Sequence, residues 1–248
     1  MTNSKPSKVR VILTSDWHAD WITSDVERYD EIEAAAWRAA KYAIDSNLQG
    51  NGPSVFVFAG DLANPNPPRC WRAARLASQI VRALEAAHVP SIWLTGNHDV
   101  LEDGHGSHTL MPIDSKDSPW TYVADRPMVW EPYPGCPLML LPYVPRSLNY
   151  DPALYVRQAS EGSQIPKLCV GHLMVEGIGP GSETKDMARG RDVFFPLQTL
   201  REKFPNCKLA NGHYHTGQIF KGIHIPGSLA RLTLQEADNS PRFLEIEL

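Results

Sequence analysis

Apolar residues along this chain gather in short runs, and several of those runs end in Ser or Gly. Residues 9–15 (VRVILTS), 55–60 (VFVFAG) and 91–96 (SIWLTG) are brief and rich in β-branched or aromatic side chains, the pattern of buried strands. Between them the spacing becomes helical. Residues 24–49 read as one helix, with Ser24 as the expected N-cap, acids in the first turn, and Gly50 to Pro53 as the stop. A second helix is expected over 69–87, after NPNPP. The first hundred residues thus alternate βαβαβ, which implies a parallel sheet with crossover helices.

Beyond residue 100 the pattern changes. Residues 100–120 mix Gly, Ser, Asp and Pro without a period and read as a long surface loop, a type often functional in compact domains. Strands are expected over 137–144 and 167–171, with a short helix over 151–161. A Gly-rich loop follows at 175–192, then a helix over 196–204 and a strand in CKLANG. The tail from Gly217 to Leu248 alternates over short runs broken by KG, PG and DNSP, and reads as β-hairpins. No repeat, low-complexity tract or linker interrupts the chain, so one domain over 1–248 is expected.

Composition narrows the class. At 248 residues, with 42% hydrophobic and 21% charged side chains, the chain can bury a sizeable core. No apolar run is long enough to span a bilayer, and the polar, basic N-terminus lacks a signal segment. Cys70, Cys136, Cys169 and Cys207 lack CxxC spacing and suit reduced thiols in a cytoplasmic setting. The net charge of −4 argues against a broadly basic nucleic-acid binder. Divalent ions would still reverse the sign of the potential at a site.

The chemistry sits where the apolar runs stop. VILTS leads into Asp16 and His18, VFVFAG into Asp61, and IWLTG into Asn97, His98 and Asp99. LCVG leads into His172, and KLANG into His213 and His215. In α/β sheets the carboxyl ends of parallel strands share one edge, where ligands bind. The i,i+2 spacing of Asp16/His18 and His213/His215 would aim both members of each pair the same way in extended chain. Carboxylate, amide carbonyl and imidazole, with no thiolate, suit Mn²⁺, Fe or Zn²⁺ with open positions. Asp16, His18, Asp61, Asn97, His172, His213 and His215 are too many for one ion. They suit a pair sharing a carboxylate, about 3.5–4 Å apart.

The ordered set D-x-H, GD, GNHD, GH and GHxH resembles the calcineurin-like metallophosphoesterase superfamily. The resemblance implies a four-layer αββα sandwich of two mixed sheets flanked by helices. Within the superfamily the chain looks most like the nuclease subunit of the SbcCD-type DNA double-strand-break repair exonuclease. SDWHAD, GHLMVEG with GSE at 181–183, GHYHTGQ, PGSLARLTLQE at 226–236 and RFLEIEL carry that likeness. By motif, Asp16, His18 and His215 would hold one ion, Asn97, His172 and His213 the other, and Asp61 would bridge them. His98 would contact the scissile phosphate or protonate the leaving oxygen, oriented by Asp99. A hydroxide shared by two cations would attack phosphorus. The expected cofactors are two divalent ions, manganese first, with Zn²⁺, Fe²⁺ or Mg²⁺ as alternatives.

The likeness has departures. Repair nucleases continue into a DNA-capping domain and helices that dock an ATPase partner, whereas this sequence stops at Leu248 after its last predicted strand. The expectation is a phosphoesterase core without them, which puts an SbcC-like ATPase partner in doubt; a homodimer is compatible. Asp20 and Trp21 replace the small residues that usually follow D-x-H. Phosphate contacts are expected from Arg189 and Arg191, with Lys185, in the Gly-rich loop, and from His105 after GNHD. Arg69, Arg72 and Arg75 could track a phosphate backbone, although a solvated helix face is the simpler reading. The expected activity is DNA hydrolysis, with a phosphodiesterase of cyclic nucleotides or other small phosphodiesters as the alternative. A non-catalytic scaffold would show broken ligand positions, and here each is intact.

Overall fold

A computed structural model describes residues 8–49, 52–65, 69–101, 106–114, 118–143, 150–162, 164–178 and 193–248. Two sheets pack face to face. The first has the order β13-β1-β4-β5-β6 and the second β11-β12-β10-β9-β8-β7. In the first, β1 (Arg10–Thr14), β4 (Ser54–Ala59), β5 (Ser91–Leu94) and β6 (Thr121–Ala124) run parallel. In the second, β8 (Leu138–Leu141), β9 (Leu168–Gly171), β10 (Lys208–Asn211) and β12 (Ile223–Ile225) run parallel. The antiparallel edge strands are β7 (Met128–Trp130), β11 (Gln218–Phe220) and β13 (Leu244–Glu247).

Alternation along each strand builds the layers. Val11, Leu13, Val55, Val57, Ile92 and Leu94 face the second sheet, where they meet Leu138, Leu140, Leu168, Val170 and Ala210. Their neighbours Ile12, Phe56, Phe58 and Trp93 face outward into a cluster with α1 (Tyr29–Leu48) and α2 (Arg69–Ala86). Met139, Leu141, Cys169 and Leu209 do the same on the far side, under α3 (Pro152–Ala159) and α4 (Leu197–Lys203). The strands are buried on both faces, which is why they read as continuous apolar runs. At about 1.5–3 kcal/mol for each large side chain removed from water, these three clusters supply the main driving force for folding. The result is a four-layer αββα sandwich.

Three elements differ from the sequence expectation. Ser24 does not cap a helix. Ser24 and Asp25 lie at φ 48° and 66° and form the turn of a small hairpin, β2 (Ile22–Thr23) with β3 (Val26–Glu27). Positive φ at both central residues matches the twist of a two-residue hairpin, and α1 begins only at Tyr29. The tail holds one hairpin, β11–β12, turned at Lys221 and Gly222. Residues 226–236 then leave the sheet and end in a 3-10 turn, Leu234–Glu236. The last strand crosses to the other sheet, pairing Ile246 with Val11 and covering the β1 edge. Strands β6 and β7 are too short to stand out by pattern. All four cysteines are free thiols. Among the described residues no helix is long and apolar enough to cross a membrane.

Candidate metal centre

The backbone curls at the strand ends. Asp16, His18, Asp61 and His213 sit at φ 52°, 44°, 64° and 74°, in the left-handed region that costs a non-glycine residue about 1–3 kcal/mol. The expectation that extended chain aims Asp16 with His18 is therefore corrected: tight turns aim them, not strand alternation. The strain is held by an extra rung of hydrogen bonds beyond the sheet. Asp16 N–H donates to Gly60 O (2.9 Å), His18 N–H to Asp61 O (3.0 Å) and Ala19 N–H to Leu62 O (2.8 Å). Close approach also demands glycine. A Cβ at Gly96 would collide with the Asp61 carboxylate, and one at Gly212 with the Ala59 carbonyl and Ser15 hydroxyl.

These turns bring the candidate ligands into one continuous cluster. His215 Nε2 lies 3.1 Å from His18 Nε2, and His18 Nε2 lies 3.5 Å from Asp61 Oδ2. On its other side Asp61 Oδ2 is 3.3 Å from His172 Nε2. Asn97 Oδ1 then sits 3.1 Å from His172 Nε2 and 2.9 Å from His213 Nδ1. In each of two groups, Asp16-His18-His215 and Asp16-Asp61-His172, the ligand atoms lie within 4.8 Å of one another. The Asp and His members are all buried, the most accessible being His213 at 8%.

The hydrogen bonds leave this cluster short of donors. His172 Nδ1 faces the Ala59 carbonyl at 2.6 Å, and a carbonyl only accepts, so Nδ1 carries a hydrogen. Its Nε2 then confronts two oxygen acceptors, on Asp61 and Asn97. His215 Nδ1 donates to Glu236 Oε1 (3.0 Å), which turns a lone pair at Nε2 toward His18 Nε2. Asp16 Oδ1 is buried with no partner. Lone pairs and carboxylate oxygens converging with few donors among them are what divalent cations satisfy, and the all-oxygen-and-nitrogen donor set suits hard or borderline ions.

Protons take that place when no cation is bound. Burial lowers the proton affinity of His172, but Asp61 and Asp16 more than offset this and hold its pKa up at about 9. Burial pushes Asp16 up to about 7 against the pull of His172. Burial also acts to raise Asp61, yet the surrounding histidines, His172 first, hold it well below the usual carboxylate range. His18 is held well below its usual value by burial, and His213 is lowered to about 3 by burial and the neighbouring His172. Both imidazoles are neutral near pH 7 and available as ligands.

The neighbours of the cluster depart from the expected pairing. Asp99 does not orient the His98 ring. Its Oδ2 accepts from the backbone N–H of Gly96 and of Asp61 (2.8 Å each), and its Oδ1 from Leu62 N–H (2.9 Å) and the Thr109 hydroxyl. Asp99 thus clamps the β4 and β5 ends together, because its short, buried side chain meets that bundle of amides first. Asn64 Oδ1 stands at His98 Nδ1 instead (2.8 Å), while His98 N–H donates to Asp61 Oδ1 (2.9 Å). Asn64 lies three residues past Asp61 in the same turn, a proximity that pattern reading passed over. Glu236 is a second omission. Buried to 3% exposure, it backs His215 across 21 residues of chain, and no spacing rule links them. Arg189, Arg191 and His105 lie outside the described residues. On α2, Arg72 is engaged by Glu27 (2.8 Å) and Asp30 (3.7 Å) and lies 3.9 Å over the Tyr29 ring, the arrangement of a solvated helix face.

An αββα sandwich gathers an Asp/Asn/His cluster at its strand ends that could hold metal ions. The chain belongs to the calcineurin-like phosphoesterase family, whose profile matches residues 9–217. No curated protein matches the chain. A dimetal phosphatase from Danio rerio has a similar fold, with a TM-score of 0.53 at 12% sequence identity, over 96% of this chain and 91% of that one. A "Putative 5'-Nucleotidase" from Staphylococcus aureus, solved in complex with alpha-ketoglutarate, gives 0.52 at 13% identity over 90% of this chain. The chain spans about half (49%) of the staphylococcal protein's length.

Proposed function

We propose that this chain hydrolyses phosphodiester bonds in DNA, with manganese as its resident ion. The observation that carries this reading is the course of residues 226–236, a stretch by which the sequence resembles the repair nucleases. It folds back so that Glu236 holds His215. This contact, which ties that stretch to a candidate ligand, is what supports the reading.

Asp16, His18 and His215 would hold one ion and Asn97, His172 and His213 the other, with Asp61 between them. Bound divalent ions supply Lewis acidity to phosphoryl oxygens and lower the pKa of water. The remaining work falls to side chains. Asp99 fixes the turn that presents Asp61 and Asn97. Asn64 holds His98 Nδ1, so Nε2 is the nitrogen left to meet a substrate oxygen and pass it a proton. Trp21, with its ring 5.3 Å from that of His18, adds an aromatic wall beside the centre, on which a base could stack. A cytoplasmic setting, with the thiols reduced, belongs to the same reading.

A second reading, hydrolysis of small phosphodiesters, is favoured by the engagement of Arg72 with Glu27 and Asp30, which removes one cation from any phosphate track on α2. The deciding experiment is a substrate panel with Mn²⁺, Mg²⁺, Zn²⁺ and EDTA. Manganese-stimulated release of nucleotides from linear DNA supports the proposal. Cleavage of bis(4-nitrophenyl) phosphate and cyclic nucleotides with DNA left intact would refute it.

A further inference from the structure

We propose that Asp20 fixes the tautomer of His98, acting through the side-chain amide of Asn64. Asp20 Oδ2 accepts from the Asn64 backbone N–H (3.2 Å) and from Asn64 Nδ2 (3.0 Å). A carboxylate offers these groups only acceptor oxygens, so the NH₂ end of the Asn64 amide must face Asp20. The carbonyl end is thereby turned to His98 Nδ1 at 2.8 Å, and an amide oxygen only accepts. Nδ1 must then carry the hydrogen. Without Asp20 the amide could rotate by half a turn, offer NH₂ to Nδ1, and move the hydrogen of the neutral ring to Nε2.

The consequence rests on the phosphodiesterase reading above. With Nδ1–H committed, the ring exchanges protons with a substrate through Nε2 alone. Nε2 takes up a proton from solvent, and as the bond from phosphorus to the leaving oxygen breaks, that proton passes to the oxygen and the ring returns to its Nδ1–H form. The oxygen of a water forms the new bond to phosphorus as the water gives up one proton to solvent, which balances the proton that the ring takes up for the next turnover. Asp20 touches neither substrate nor His98 and is a positioning residue. Asp20 follows the D-x-H motif by two residues, and a small side chain at that place could not make its contact with Asn64.

Long-range ¹H–¹⁵N correlation on the metal-free full chain, with the His98 signals assigned by their loss in His98→Ala, reads the tautomer directly. The wild type should show Nδ1–H, Asp20→Ala a mixture containing Nε2–H, and Asp20→Asn, which keeps an acceptor oxygen, the wild-type pattern. With manganese bound, Asp20→Ala should lower kcat by roughly tenfold or more on a phosphodiester with an alkoxide leaving group, which needs a general acid. Bis(4-nitrophenyl) phosphate, whose leaving group needs no proton, should be nearly unaffected. Adding Asn64→Asp to Asp20→Ala should restore the loss, because a carboxylate presents an oxygen to Nδ1 in either orientation. An Nε2–H wild type, an unchanged tautomer in Asp20→Ala, or equal losses on both substrates would overturn the proposal. Should Asp20→Ala fail to fold, the wild-type tautomer and Asp20→Asn still decide. Should no phosphodiester be cleaved, the functional reading falls while the spectra test the tautomer independently.

Discussion

Replacing Glu236 with alanine should weaken metal binding and folding together, and by amounts the contacts allow one to estimate. Glu236 Oε1 accepts from His215 Nδ1 (3.0 Å) and the Thr233 hydroxyl (3.1 Å), and Oε2 accepts from Leu232 N–H (2.8 Å). In Glu236→Ala the buried Leu232 amide and the His215 ring both lose their acceptor. An orphaned buried donor costs about 1–3 kcal/mol, so for the two a stability loss of roughly 2–6 kcal/mol is expected. Loss of the partner that orients a ligating imidazole lowers metal affinity about 10–100-fold. Glu236→Gln separates the two effects. Its single oxygen is best turned to the two donors at His215 and Thr233, leaving only Leu232 N–H unpaired. Stability should fall by about 1–3 kcal/mol while metal affinity is largely retained. Calorimetric titration with Mn²⁺ and urea unfolding in EDTA measure the two quantities. Unchanged affinity in Glu236→Ala would refute the assignment of Glu236 as the support for His215.

Further predictions concern the turns and the protons. Gly96→Ala places a Cβ against the Asp61 carboxylate and 2.5 Å from its backbone nitrogen. Overpacking of this kind costs about 1–3 kcal/mol. Mn²⁺ affinity measured by calorimetry should therefore drop by roughly tenfold or more, and wild-type affinity would contradict the close fit of these two strand ends. The metal-free protein should lose stability from pH 7 to pH 9. The pKa of His172 is raised from 6.5 to about 9, so its proton is bound more tightly in the folded chain, and the stability it confers is lost as pH rises through that window. At about 1.4 kcal/mol per unit, and with the shift only partly expressed at each end of the window, the loss is about 2 kcal/mol. Urea unfolding in EDTA at the two pH values measures it. With manganese bound this dependence should vanish, since the ion replaces the proton.

How far the site could be read from the chain depended on what each residue does. The candidate ligands, as a set that gathers in space, were legible because each follows closely on an apolar run, and parallel topology brings such positions to one edge. The geometry that aims them was not. Asp16 and His18 share an i,i+2 spacing, yet left-handed turns set their direction, and those turns exist only because β4 lies alongside to anchor them. Asp99 follows His98 in sequence, an adjacency that suggests a pair. In space it is taken by the amides of Gly96, Asp61 and Leu62, two of which belong to another strand end. Glu236 and β13 belong to a tail whose alternation reads as hairpins in isolation. One part instead turns into the site and the other crosses to the opposite sheet. Local pattern determines which segments are strands, whereas these contacts are decided by what the strands meet.

The central claim is that side chains from five strand ends form a two-ion centre bridged through Asp61. Metal content per chain after reconstitution with Mn²⁺ and removal of free ion tests it most directly, with Asp61→Ala as the comparison. Two ions per wild-type chain and a loss of both affinity and stoichiometry in Asp61→Ala are predicted. A wild-type chain that retains no manganese, or an Asp61→Ala chain that retains two ions as tightly as the wild type, would contradict it.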